Sequence, residues 1–309
     1  MRRFPLVFVL ALAAGVVPNA QPAQPPTPLV REGVTTKVAP HTYVIPDANV
    51  GLVPNVGIVV GSRATLVIDT GLGPRNGEAV LREVRKVSQH SELYLATTHF
   101  HPEHDLGASA FPPTTKMIRA QAQVQDIQEF NLELANTFSK RSPAIADLLA
   151  GATYRKADVV FDRDYRLDLG DVHVAMRAVG PTHTRGDTIF FVEEDRVLFS
   201  GDVAMPALPA MISPSSSVRT WLEALATLSA LEPARVVPSH GDMGDNRMID
   251  DYRSYLEDLQ RRARELKAKG VGQDEAADTI TKAMQPAYEG RQPARITAAA
   301  RIAWAEAPR

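Results

Sequence analysis

Four times along this chain a short apolar run ends at a residue that can bind a metal ion. Leu93–Thr97 leads into His99, Val172–Val179 into His183, Val197–Phe199 into Asp202, and Arg235–Val237 into His240. Short runs rich in Val, Ile and aromatic residues read as β-strands. A residue placed just past a strand is held by a rigid sheet while its loop stays open to a ligand. The first of these places is the most crowded: Thr98-His99-Phe100-His101-Pro102-Glu103-His104-Asp105 gathers three imidazoles and two carboxylates. In an extended or tightly turned loop His99 and His101 share a side and can hold one ion, while Glu103 and His104 can reach a neighbouring one. The plainer alternative is a polar loop in which Asp105 starts a helix. Taken singly, Thr182-His183-Thr184, Ser200-Gly201-Asp202 and Ser239-His240-Gly241 would be structural turns; beside the first cluster they become candidate ligands.

The rest of the pattern supplies the scaffold. β-Branched runs at Val56–Val60 and Thr65–Ile68 begin an antiparallel sheet, and Glu78–Val87 follows with helical spacing. A stripe of Val124, Ile127, Phe130, Leu134 and Phe138 predicts one long helix over Ala122–Phe138, explained by core packing. A second strand-rich half contains Val159–Phe161, Tyr165–Leu169, Val172–Val179, Thr188–Val192 and Val197–Phe199. Val218–Leu231 is helical, as is nearly everything after Met248. Two strand-rich halves, each followed by helices, predict an α/β fold: a four-layer αββα sandwich of two mostly antiparallel sheets with a helical C-terminal tail. The domain organisation that follows is a leader over residues 1–20, a proline-rich spacer over 21–32, a catalytic domain over 33–245 and a helical extension over 246–309, packed on that domain.

The leader is read from Arg2 and Arg3 ahead of the apolar run Leu6–Val17, with small residues near Ala20 or Ala23, the layout of a secretory signal peptide. That run is short of the roughly 20 apolar residues a membrane span needs, so no stable membrane anchor is expected after cleavage. A periplasmic or secreted location follows. The chain has no cysteine, which removes disulfides and thiolate ligands and leaves carboxylates and imidazoles for any metal. Zinc is then the first candidate, with iron or manganese behind it. A formal net charge of −2 over 309 residues gives no global sign of a nucleic-acid partner, and a small-molecule substrate is expected. The oligomeric state is not legible.

The order His-x-His-x-acid-His, then His, Asp and His, resembles the metallo-β-lactamase superfamily of zinc hydrolases. The resemblance spans about Val34 to Gly241 and includes Val67-Ile68-Asp69-Thr70-Gly71 at a strand end. It implies that His99, His101 and His183 hold a first zinc, that Glu103, His104 and His240 hold a second, and that Asp202 bridges them. By the same resemblance Asp69 supports the metal pocket from behind; taken alone it could simply cap a turn. The family's acid in the first motif is ordinarily aspartate. Here it is Glu103, whose extra methylene moves the carboxylate outward, and Asp105 is the conceivable substitute that ranks below it. His41, His90 and His173 have no motif context and read as surface or structural residues.

Two zinc ions roughly 3.5–4 Å apart would share a hydroxide formed at neutral pH, polarise a carbonyl and hold the leaving group. Glu103 and Asp202 are the candidate catalytic carboxylates, Glu103 to orient the nucleophile or carry a proton. Ser200 and Ser239 lack a nucleophile elbow and shape loops, whereas Arg185 and Asp187 could contact substrate or each other, with a surface pair the preferred reading. Met205, Pro206, Leu208, Pro209, Met211 and Ile212 predict a loop lining the pocket, with ordinary core filling as the alternative. Export favours a β-lactam, an antibiotic met outside the cytoplasmic membrane. The bridging aspartate and helical tail lean instead towards a lactonase or a glyoxalase II-like thioesterase. An iron-dependent persulfide dioxygenase-like oxidoreductase is a different class, opposed by ligands for a second ion. A non-catalytic metal-binding protein is the remaining class.

Overall fold

The computed structural model describes residues 26–206, 215–288 and 293–308. The leader over 1–20 and residues 21–25 of the spacer therefore lie outside the described residues. Strands β1 (Thr36–Lys37), β2 (Thr42–Ile45), β3 (Val56–Val60), β4 (Thr65–Ile68), β5 (Leu93–Ala96), β6 (Lys116–Ala120) and β7 (Val159–Phe161) form one sheet in that order. Strands β8 (Asp164–Asp168), β9 (His173–Ala178), β10 (Thr188–Val192), β11 (Val197–Gly201) and β12 (Arg235–Pro238) form the second, ordered β12-β11-β10-β9-β8. The helices are α1 (Pro74–Val87), α2 (Pro102–Asp105), α3 (Gln121–Phe130), α4 (Glu133–Ser139), α5 (Pro143–Leu149), α6 (Val218–Ala230), α7 (Asn246–Ala268), α8 (Gln273–Met284) and α9 (Pro293–Glu306).

Alternation of side chains along the strands builds the layers. On β4, Leu66 and Ile68 enter the cluster between the two sheets with Phe190, Phe199 and Val237, while Val67 points the other way, to Val80 and Val84 of α1. On β11, Val197 and Phe199 face inward, and Leu198 faces outward with Trp221, Leu225, Leu256 and Ile296 from α6, α7 and α9. Helix, sheet, sheet and helix thus stack as the two halves predict. Each fully buried Leu, Ile or Phe in these clusters contributes about 1.5–3 kcal/mol of transfer free energy. Gly57 is needed where the sheets touch, because a Cβ there would stand 2.4 Å from the Phe199 ring.

Three details differ from the sequence reading. The first sheet is mixed: β1 to β4 pair antiparallel, but β4-β5, β5-β6 and β6-β7 are parallel. Val159–Phe161, grouped by its sequence with the second half, pairs with β6 and closes the first sheet. The helix expected over Ala122–Phe138 is two helices. Asn131 breaks it with a positive φ of 44, a backbone value that Asn tolerates better than most residues. Among the described residues no helix is long and apolar enough to cross a membrane.

Candidate metal centre

The loops that leave β5, β9, β11 and β12 converge on one buried cluster. His99, His101 and His183 each bring a ring nitrogen within 4.8 Å of the others, and Glu103, His104 and His240 form a second such group. His99, His104 and Asp202 form a third, which joins the two. All seven candidate ligands therefore meet, and Asp202 sits at the join. His183 Nε2 lies 3.2 Å from His101 Nδ1 and 3.4 Å from Asp202 Oδ2. Ligands on one tetrahedral zinc with bonds of about 2.0–2.1 Å stand about 3.3 Å apart, which is this spacing.

The donor set fits metal ions on a second count. His99 Nε2, His104 Nε2, Glu103 Oε2 and Asp202 Oδ1 are buried and have no hydrogen-bond partner among the described residues. Buried polar atoms are nearly always paired, so four unmet acceptors in one cluster mark places where cations belong. Glu103 keeps its place in the second group despite its extra methylene. Asp105 does not substitute for it: its carboxylate is gripped by Arg119 through both terminal nitrogens and accepts from Thr97 Oγ1 at 2.9 Å.

The other ring nitrogens fix the tautomers. His104 Nδ1 donates to Asp69 Oδ2 at 2.9 Å, and His240 Nδ1 donates to the Val53 carbonyl at 2.9 Å, which turns both Nε2 atoms toward the cluster. Thr98 Oγ1 donates to Asp69 Oδ2 at 3.0 Å, so it accepts from His99 Nδ1–H at 3.1 Å. Asp69 Oδ1 also accepts from Thr98 N at 2.7 Å. Asp69 is thus more than a turn cap: one buried carboxylate orients His104 directly and His99 through Thr98.

The electrostatics separate the histidines. Burial, reinforced by neighbouring imidazoles, holds His99 and His101 well below the usual histidine range, so they stand neutral. Burial pulls His104 the same way, but the charge of Asp69 and its hydrogen bond outweigh it and raise His104 to about 9. Burial alone would raise Asp202; His183, His240, His104 and His101 together lower it to about 2.

Residues with no motif of their own hold the loops. Asn55 donates to the Pro238 and Gly241 carbonyls, and Asp47 accepts from Gly241 N at 2.7 Å, which pins the His240 loop. Asp187 accepts from Thr184 N at 2.9 Å and from the Thr182 and Thr184 hydroxyls, fixing the loop on both sides of His183. This corrects the reading of Arg185 and Asp187 as a surface pair: Asp187 is buried, and Arg185 pairs with Glu129 and Asp126.

The remaining candidates fall as follows. Ser200 Oγ donates to the Ala204 carbonyl at 2.6 Å, a loop-shaping role. Among the outlying histidines, His41 pairs with Asp195, His90 reaches Thr65, and His173 pairs with Glu194 at 2.7 Å. Met205 and Pro206 line a cleft of about 320 Å³ with Gly244, Met248 and Tyr252. Leu208, Pro209, Met211 and Ile212 of the same predicted loop lie outside the described residues.

Comparison with known proteins adds the following. The model of the metallo-beta-lactamase superfamily matches residues 50–240. The linear primary-alkylsulfatase of Pseudomonas sp. (strain ATCC 19151) is 24% identical over 254 residues, which cover 70% of this chain and 47% of that protein. A stereoselective inverting sec-alkylsulfatase from Pseudomonas sp. superposes with a TM-score of 0.67 at 16% identity, over 87% of this chain and 49% of that one. A metallo-beta-lactamase from Pontibacter korlensis superposes with a TM-score of 0.58 at 19% identity, over 72% of this chain and 98% of that one. The chain therefore spans about half the length of the alkylsulfatases it matches.

Proposed function

The chain belongs to the metallo-beta-lactamase superfamily and is a hydrolytic enzyme of that family, and we propose that it is an exported two-zinc hydrolase that opens a β-lactam ring. The observation that carries the two-metal reading is the pair of ligand groups joined at Asp202. His99, His101 and His183 would hold the first ion, Glu103, His104 and His240 the second, and Asp202 would lie between them.

Zinc so bound supplies a hydroxide at neutral pH and a Lewis acid for the scissile carbonyl. The chain's own residues do the rest. Asp69, Thr98 and the Val53 carbonyl present the Nε2 atoms of His104, His99 and His240 to the cluster. Asp202, lowered to about 2, stays ionised through the neutral range and cannot give a proton to a leaving group. Glu103 is the other carboxylate in these three groups, and the oxygen it does not give to the ion would orient the nucleophile or carry that proton. Ser239 adjoins His240, and among the described residues its hydroxyl has no hydrogen-bond partner.

The catalytic domain is taken as residues 33–245 and the helical extension as 246–309. Export rests on the opening segment, and with it a periplasmic or secreted location. A second reading, hydrolysis of a sulfate ester, is favoured by the likeness to a linear primary-alkylsulfatase. The test is turnover of a chromogenic cephalosporin against an alkyl sulfate, a lactone and a thioester, each with zinc and after chelation. Zinc-dependent lactam opening as the fastest reaction supports the proposal. Sulfate release without lactam opening replaces it with the second reading, and zinc-dependent turnover confined to the lactone or thioester moves the substrate class there.

A further inference from the structure

α3 carries an inverted pattern. Its polar residues Gln123 and Asp126 are each 1% exposed, while Val124, Ile127 and Phe130 on the same helix are only half-buried. The inward polar face meets the backbone of both histidine loops. Gln123 Nε2 donates to the carbonyls of Thr97 at 2.7 Å and Thr98 at 3.3 Å, just before His99, and to Thr188 Oγ1 at 3.0 Å. Asp126 Oδ2 accepts from Gly186 N at 2.9 Å, three residues past His183. Gly186 lies directly on the first turn of α3, since a Cβ there would stand 2.6 Å from Gln123 N. Thr188 N donates to the Thr98 carbonyl at 2.8 Å and ties the two loops together beside the same glutamine.

Gln123 Oε1, by contrast, is buried and has no partner among the described residues. An unmet buried acceptor is costly, and an apolar side chain of similar size would avoid it. Packing alone therefore does not account for this glutamine. We propose that Gln123 and Asp126 are positioning residues that set the distance between the His99–His101 loop and the His183 loop, and through it the zinc affinity of the three-histidine group. The inference rests on the two-metal reading above. Neither side chain touches the ion; both act through backbone carbonyls and an amide.

The test is zinc titration by calorimetry into the full-length apoprotein, in a His240→Ala background that breaks the second group, with wild type alongside. Gln123→Leu and Asp126→Leu should each weaken zinc binding by about 10- to 100-fold, the range typical of partners that orient a metal ligand. Asp126→Asn keeps an acceptor for Gly186 N and should stay within about threefold of its parent. Thermal melting of each apoprotein separates positioning from folding, because a purely structural role would lower the melting temperature and the asparagine variant would not restore affinity. Should Gln123→Leu fail to fold, Asp126→Leu against Asp126→Asn decides alone. Leucine variants that bind zinc as tightly as their parent overturn the proposal, as does an asparagine variant no better than leucine. A wild-type chain that takes up no zinc removes the two-metal reading along with it.

Discussion

The two ligand groups share a residue type, but His99 and His101 in one are held neutral while His104 in the other is held protonated. Around His99 and His101 burial and the neighbouring imidazoles outweigh the Asp202 carboxylate, so the rings stand neutral, ready for a cation. Around His104 a buried carboxylate, Asp69, overcomes burial, and the ring keeps its proton up to about pH 9 when no metal displaces it. Desolvation thus sets histidine basicity only until a charge arrives at hydrogen-bond distance. His99 and His101 are built to take a metal at neutral pH without expelling a proton. The second group must expel one, and it depends on Glu103 for its negative charge.

The largest effect expected on that contrast comes from His183→Ala. Loss of one donor from the three-histidine group should empty it and lower turnover by about a thousandfold, equivalent to about 4 kcal/mol of transition-state stabilisation. Steady-state kinetics with metal analysis reads both. Asp69→Ala should weaken zinc binding at the second group by about 10- to 100-fold and leave the three-histidine group much less affected, which stepwise titration resolves. Equal losses at both would show that Thr98 and His99 lean on Asp69 as heavily as His104 does. Glu103→Asp shortens a carboxylate seated for the longer side chain, and about a tenfold loss at the second group is expected where ligand distances tolerate only about 0.2 Å. An unchanged or tighter second site would mean that Glu103 sits too far out.

The smallest effect is the pH dependence of metal uptake. Below about 9 zinc must displace the His104 proton, so affinity at the second group should fall as pH falls, with His104 contributing about tenfold per unit. His99 and His101, lowered well below the usual histidine range, contribute no such dependence near neutrality. Titrations at pH 6, 7 and 8 would show two different slopes, and identical slopes would erase the distinction drawn from Asp69.

Much of this centre was legible in the sequence because its ligands sit at strand ends and the strands alternate cleanly. The positions of His99, His183, Asp202 and His240 followed from runs such as Leu93–Thr97 and Val197–Phe199. What stayed hidden is the support that acts across long separations on backbone atoms. Nothing local announces that Asn55 will bind the Pro238 carbonyl or that Arg119 will neutralise Asp105. That buried ion pair has a large structural role, since removing one partner typically costs about 3–5 kcal/mol. α3 misled for a physical reason: its apolar stripe resembled a core face, while the residues that enter the core are Gln123 and Asp126, whose Nε2 and Oδ2 bond loop backbone. Asn131 was the visible cue for the break that separates α3 from α4.

The most direct test of the two-metal reading is the zinc content of the purified chain, measured by elemental analysis after equilibration with excess zinc and removal of free ion. Two zinc ions per chain is the predicted result. A single ion retained, or none, would contradict a centre in which His99, His101 and His183 and Glu103, His104 and His240 each hold one.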